Sequence, residues 1–161
     1  MGYSKMTSLI AVCLACLFVF ASANGQDSKG SNADEPAIHD YILTMEKVQK
    51  YADVAQKGEA AAQSDSGLAA EMKKVQDADV ANLEKAAMME KSPKIAAFLK
   101  SNNYAARDFV LTPMTVMTAA MAVAAEDQKG KAPAFVNPAN IKFVRDHKAE
   151  LEKMNLMGAD Q

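Results

Sequence analysis

The stretch "FVLTPMTVMTAAMAVAA", Phe109 to Ala125, runs seventeen residues without a charge and places Met114, Met117 and Met121 at i, i+3 and i+7. Three structures answer to that description: a membrane span, a soft-metal site, or the central helix of a core. A span needs ~20 apolar residues, and alanines, threonines and Pro113 keep this stretch only mildly hydrophobic. Val110, Met114, Met117, Met121 and Ala124 follow one another at spacings of 4, 3, 4 and 3, which is a core seam on a helix, with methionine filling the gaps that alanine leaves. Thr112, Thr115 and Thr118 form a polar line that back-bonding to carbonyls one turn earlier satisfies. The stretch therefore reads as a helix surrounded by other helices, over about residues 105–127.

Working outward, the same periodicity recurs. Ile38, Tyr41, Met45, Val48, Ala52 and Ala55 form one seam, predicting a first helix of about five turns that opens at Pro36 behind Asp34 and Glu35. "KGEAAAQSDSG", 57–67, reads as a connection. A second helix is expected over 68–91, although its seam steps by five after Val75. "SPKIAAFLKSNN" predicts a short third helix, with Ser92 as cap, Pro93 at the first position, and Asn102 and Asn103 tolerant of a left-handed C-terminus. "NPANIKFVRDHKAELEKM" predicts a last helix capped by Asn137, with Ile141, Val144, Leu151 and Met154 on one face. No segment alternates as a half-buried strand does. The fold class expected is all-α, a helical bundle of four long helices plus one short helix, in a single domain over 36–157.

Ahead of that domain, "MGYSKMTSLIAVCLACLFVFASANGQ" combines Lys5, an apolar run from Leu9 to Phe20 and the small residues Ala21 and Ala23. This is the layout of a signal peptide, 1–23, cleaved after Ala23. Residues 24–35 read as a disordered polar lead. The expected location is exported, periplasmic or extracellular, with no stable membrane insertion after cleavage. Cys13 and Cys16 leave with the signal peptide, so the mature chain has no disulfide, thiolate metal site or thiol nucleophile. With 18 basic and 20 acidic residues, no basic excess points to nucleic acid.

"IHDYILTMEKVQKYADV", "SPKIAAFLKSNNYAARDFVLTPMTVMTAAMAV" and "FVNPANIKFVRDHKAELEKM" together resemble a family of small exported bacterial proteins, all-helical and with no assigned activity. The recurrent blocks are the Arg107-Asp108-Phe109 triplet and the Asn-Pro-Ala-Asn helix start, Asn137 to Asn140. Many relatives carry proline where this chain has Ala106. The resemblance implies a helical fold and export, and no catalytic residue.

Four constellations bear on chemistry. Met114, Met117 and Met121 are soft thioethers of the kind that suits Cu(I), although the same residues serve a core. His39 and His147 would meet only if the first and last helices bring those ends together, and no haem-attachment motif accompanies them. Arg107 is unfavourable beside the positive end of a helix dipole. It therefore predicts a compensating partner, Asn140 or a carboxylate of the last helix, or else an anchor for a small anion. The phosphate loops, nucleophile elbows and zinc motifs of common enzymes are absent. No cofactor is expected, and the balance is against an enzyme. The function expected is a structural or protein-interaction module of the cell envelope, partnered by an envelope protein. The alternative is a small-ligand or Cu(I) carrier using the methionine face of the fourth helix.

Overall fold

A computed structural model of the chain describes residues 31–157. The expected signal peptide and residues 24–30 of the polar lead lie outside the described residues. Those described form eight helices and no strand: α1 Ser31–Asp40, α2 Met45–Ser64, α3 Ser66–Gln76, α4 Asn82–Lys91, α5 Pro93–Ser101, α6 Ala106–Asp127, α7 Pro138–Asp146 and α8 Lys148–Lys153. The all-α class stands. In place of four long helices and one short one there are two long helices, α2 and α6, and six shorter ones.

α6 is the spine, packed against α1, α2, α4 and α7. By length and composition it is the one described helix apolar enough to cross a membrane. Its residues Leu111, Thr112, Thr115, Val116, Ala119 and Ala122 are nonetheless fully buried by neighbouring helices, as a core helix requires. The buried stripe departs from the expected seam in the second half: Met114 is buried and Met117 half-buried, but Met121 is 65% exposed. Of the three threonines only Thr118 back-bonds, to the carbonyls of Met114 and Thr115 at 3.0 and 3.2 Å. Thr112 is shared by two tyrosines, and the buried Thr115 Oγ1 meets no described partner. Because a buried hydroxyl without a hydrogen bond is costly and valine has its shape, Thr115→Val is expected to stabilise the fold by about 1 kcal/mol. A melting temperature lowered by the substitution would show that the hydroxyl is satisfied.

The breaks between helices follow from tertiary capping. The expected first helix starts earlier, at Ser31, with Pro36 inside it, and it stops at Asp40. Tyr41 and Leu43 are buried while Ile42 is 42% exposed, the alternation of extended chain rather than helix. That link is clamped by the Asn-Pro-Ala-Asn segment. Asn140 Oδ1 accepts from the Leu43 N–H at 2.9 Å and its Nδ2 donates to the Tyr41 carbonyl at 2.8 Å. Asn137 Nδ2 donates to the His39 carbonyl at 2.9 Å, while its Oδ1 caps α7 through the Ala139 N–H.

The 57–67 segment is not a connection: α2 continues to Ser64, as its alanine-rich composition favours. Asp65 ends α2 and caps α3 through the N–H groups of Gly67 and Leu68. The Lys94 ammonium, 2.6 Å away, holds its carboxyl below the ordinary range. The expected second helix breaks into α3 and α4 just where its seam stepped by five. Asp34, 1% exposed, supplies the missing cap of α4 from α1. Its Oδ2 accepts from the N–H and the side-chain amide of Asn82, both at 2.9 Å, and its Oδ1 from the Leu83 N–H at 3.1 Å. α5 is likewise capped from a distance. Ser92 turns back to the Met88 carbonyl, and Glu71 Oε2 takes the N–H groups of Lys94 and Ile95. Asn103, at φ 49°, does make the left-handed C-terminus of α5. The last expected helix breaks at His147 into α7 and α8.

Candidate functional site

The apolar seams close into one core, in which Val75, Ile95, Leu99, Val110 and Met114 are buried, but the packing around these residues is incomplete. Between α2, α3, α5 and α6 they leave a cleft of about 810 Å³, a size suited to a small-molecule ligand. On α2 the lining alternates larger side chains, Tyr51, Gln56 and Glu59 among them, with the small residues Ala52, Ala55 and Gly58, which recur at spacings of three and leave space between them. A Cβ on Gly58 would stand 3.3 Å from the Phe98 ring and 3.5 Å from the Met72 methyl. Glycine therefore leaves room for the Phe98 ring and the Met72 methyl against α2 at the site's edge.

The facing walls are methionine and aromatic. Met72 of α3, Met89 of α4, Met114 and Met117 of α6, and Met154 beyond α8 all line the cleft. Unbranched thioethers adapt to irregular apolar shapes better than branched side chains do. Met154 and Leu156 reach it because α8 ends in a Schellman turn: Asn155 is left-handed at φ 56°, its N–H donates to the Glu152 carbonyl and that of Leu156 to the Leu151 carbonyl. At the α6 end, Phe109 sits between two tyrosines, 5.4 Å from the Tyr51 ring and 6.3 Å from the Tyr104 ring in an edge-on arrangement. Pro113, which lines the cleft, withholds an N–H from the Phe109 carbonyl.

Behind Phe109, the Tyr41 and Tyr104 hydroxyls share Thr112 Oγ1 at 2.9 and 3.3 Å. Burial raises the phenol pKa of both and pushes Tyr51 up to about 12, from an ordinary 10.0. The folded protein thus keeps phenolic protons that the unfolded chain releases. Stability from these groups is complete below pH 10.0 and is lost as pH climbs through the folded-state values. Phenolate absorbance is expected to appear together with alkaline unfolding. Ionisation of these tyrosines near pH 10.0 with the fold intact would contradict their burial.

The residues singled out from sequence separate. Met114 and Met117 share the cleft, but Met121 faces solvent, so the three do not converge on one ion. Arg107 is exposed and has no hydrogen bond or ion pair to a described residue; its expected partner, Asn140, is spent on the 41–43 link. What the triplet contributes to the site is Phe109. His39 lies by the N-terminus of α7, through Asn137, and His147 at its C-terminus, its ring tilted against that of Phe143 at 4.7 Å. A nine-residue helix separates them by about 13 Å at ~1.5 Å per residue, so they form no pair. Among the described residues no group of three His, Cys, Asp or Glu is placed to hold a metal. Comparison with protein-family models, with curated proteins and with solved structures yields no match for this chain.

Proposed function

We propose that the protein is an exported carrier or receptor for a small apolar or amphipathic molecule, which it holds in the cleft between α2, α3, α5 and α6. The observation that carries this reading is the cleft itself: about 810 Å³ lined by five methionines and the rings of Tyr51, Phe98 and Phe109. An apolar interior normally packs to the density of an organic crystal. A sequence that sets alanine and glycine against flexible methionine forgoes that packing, and an apolar ligand restores it. An envelope interaction module finds less support, because among the described residues the large exposed apolar side chains, Ile42, Val80 and Met121, lie on separate segments.

A solvatochromic apolar dye is expected to bind saturably, one per chain, to the wild type. Ala55→Phe fills the cleft from the α2 wall and is expected to weaken the dye by tenfold or more, about 1.4 kcal/mol, while the melting temperature is held or raised. Weak, unsaturable partition that Ala55→Phe leaves unchanged would remove the proposal. The five thioethers also favour a second reading, Cu(I) binding at the same wall. Met117→Leu separates the two, since leucine nearly conserves volume but cannot ligate copper. It preserves dye binding in the first case, and in the second abolishes a copper-dependent rise in melting temperature.

A further inference from the structure

The polar groups that line the cleft are distributed unevenly, and this gives the ligand a direction. On α2, the Asp53 carboxylate is held by Lys57 at 2.8 Å. Thr118 is spent on the carbonyls of its own helix, and the Asn82 amide is given to Asp34. Lys85 of α4 differs from all of these. It is half-buried, lines the cleft, and its ammonium donates at 3.0 Å to the carbonyl of the exposed Gln76, the last residue of α3. That carbonyl is neutral and takes one of the three ammonium donors. No described carboxylate stands within ion-pair distance of Lys85 Nζ: Asp34 faces Asn82 and Leu83, Asp53 faces Lys57, and Glu59, the other carboxylate in the lining, pairs with no described cation. A positioned cation that keeps unspent donors beside an apolar volume is complementary to an anion carrying a hydrocarbon tail.

Resting on the apolar-ligand reading, we propose that the cleft takes a single-chain amphiphile with a carboxylate head, the head on Lys85 Nζ and the chain along the methionine wall toward Phe98 and Phe109. Methionine suits such a chain because one flexible wall can follow several conformations of it. Lys153, the last residue of α8, also lines the cleft and is exposed. It therefore stays hydrated and contributes less to a bound head.

The test is displacement of the bound dye by dodecanoate and by dodecanol, which share a chain and differ in the head, from the wild type, Lys85→Gln and Lys85→Arg. Dodecanoate is expected to displace the dye from the wild type at a concentration about tenfold below dodecanol. Lys85→Gln is expected to erase that preference by weakening dodecanoate alone, and Lys85→Arg to retain it. Dodecanol serves as the internal control for folding, since a variant that has lost the cleft loses both. Equal displacement by acid and alcohol in the wild type, or a preference that survives Lys85→Gln, would overturn the assignment of the head while leaving the apolar site standing. If neither compound displaces the dye, or the dye does not saturate, the apolar-ligand reading itself fails.

Discussion

Replacing Asp34 by alanine is expected to cost about 3 kcal/mol and to lower the melting temperature by roughly 10 °C. The carboxylate is buried and accepts three hydrogen bonds at 2.9 to 3.1 Å, two from the first N–H groups of α4 and one from the Asn82 amide. Ala81, which precedes α4, has no side chain able to cap it. Removal of Asp34 leaves those donors inside the protein with no acceptor, and each such group costs about 1 to 3 kcal/mol unless water reaches it. Loss of a local cap alone costs about 0.5 to 2 kcal/mol. The larger figure applies here because Asp34 also ties α1 to α4 across 48 residues of chain. Asp34→Asn keeps one acceptor oxygen and is expected to lose about half as much. Thermal melts that are the same for the wild type and Asp34→Ala would mean that α4 is capped by water and α1 is dispensable.

Asn140→Ala is expected to be of similar size, about 2 to 4 kcal/mol, and to act on the other side of α1. One buried amide serves both the N–H of Leu43 and the carbonyl of Tyr41, and so replaces the backbone partners that the extended 41–44 link lacks. The isosteric change Asn140→Asp separates hydrogen bonding from shape. It keeps the acceptor for Leu43 but sets a carboxylate oxygen against the Tyr41 carbonyl in a buried place, and is expected to be at least as harmful as alanine. A fully stable Asn140→Asp variant would show that the link needs only the Leu43 bond.

Both residues explain where sequence reading succeeds on this chain and where it stops. α5, α6 and the start of α7 were legible because their signals are local: Pro93, the uncharged run from Phe109 to Ala125, and Asn137 followed by Pro138. The break at 41–44 was not, and that at 77–81 showed only as a step of five in the seam, because the groups that stabilise them, Asn140 and Asp34, lie far off in sequence. Asp34 was legible as an acidic residue suited to a helix N-terminus, but the helix it caps is α4 and not its own. The cleft was hidden for a different reason. A seam of Ala52, Ala55, Val75, Met114 and Met117 has the same period whether the opposing walls meet or stand apart. The usable signal was the small size of Ala52 and Ala55 opposite methionine, which appears only once the helices are paired.

The open interior is where folding and the proposed activity meet. The clamps on α1 and the capping of α4 and α5 by Asp34 and Glu71 hold the helices by polar contacts at their ends, so the middle of the α2 wall need not be filled to keep them in place. Native mass spectrometry of the wild type and Ala55→Phe, each equilibrated with a single-chain amphiphile, tests this most directly. One bound molecule per wild-type chain and none on the filled variant is the predicted result. Identical spectra for the two proteins, whether bare or decorated, would contradict a binding site between α2 and α6.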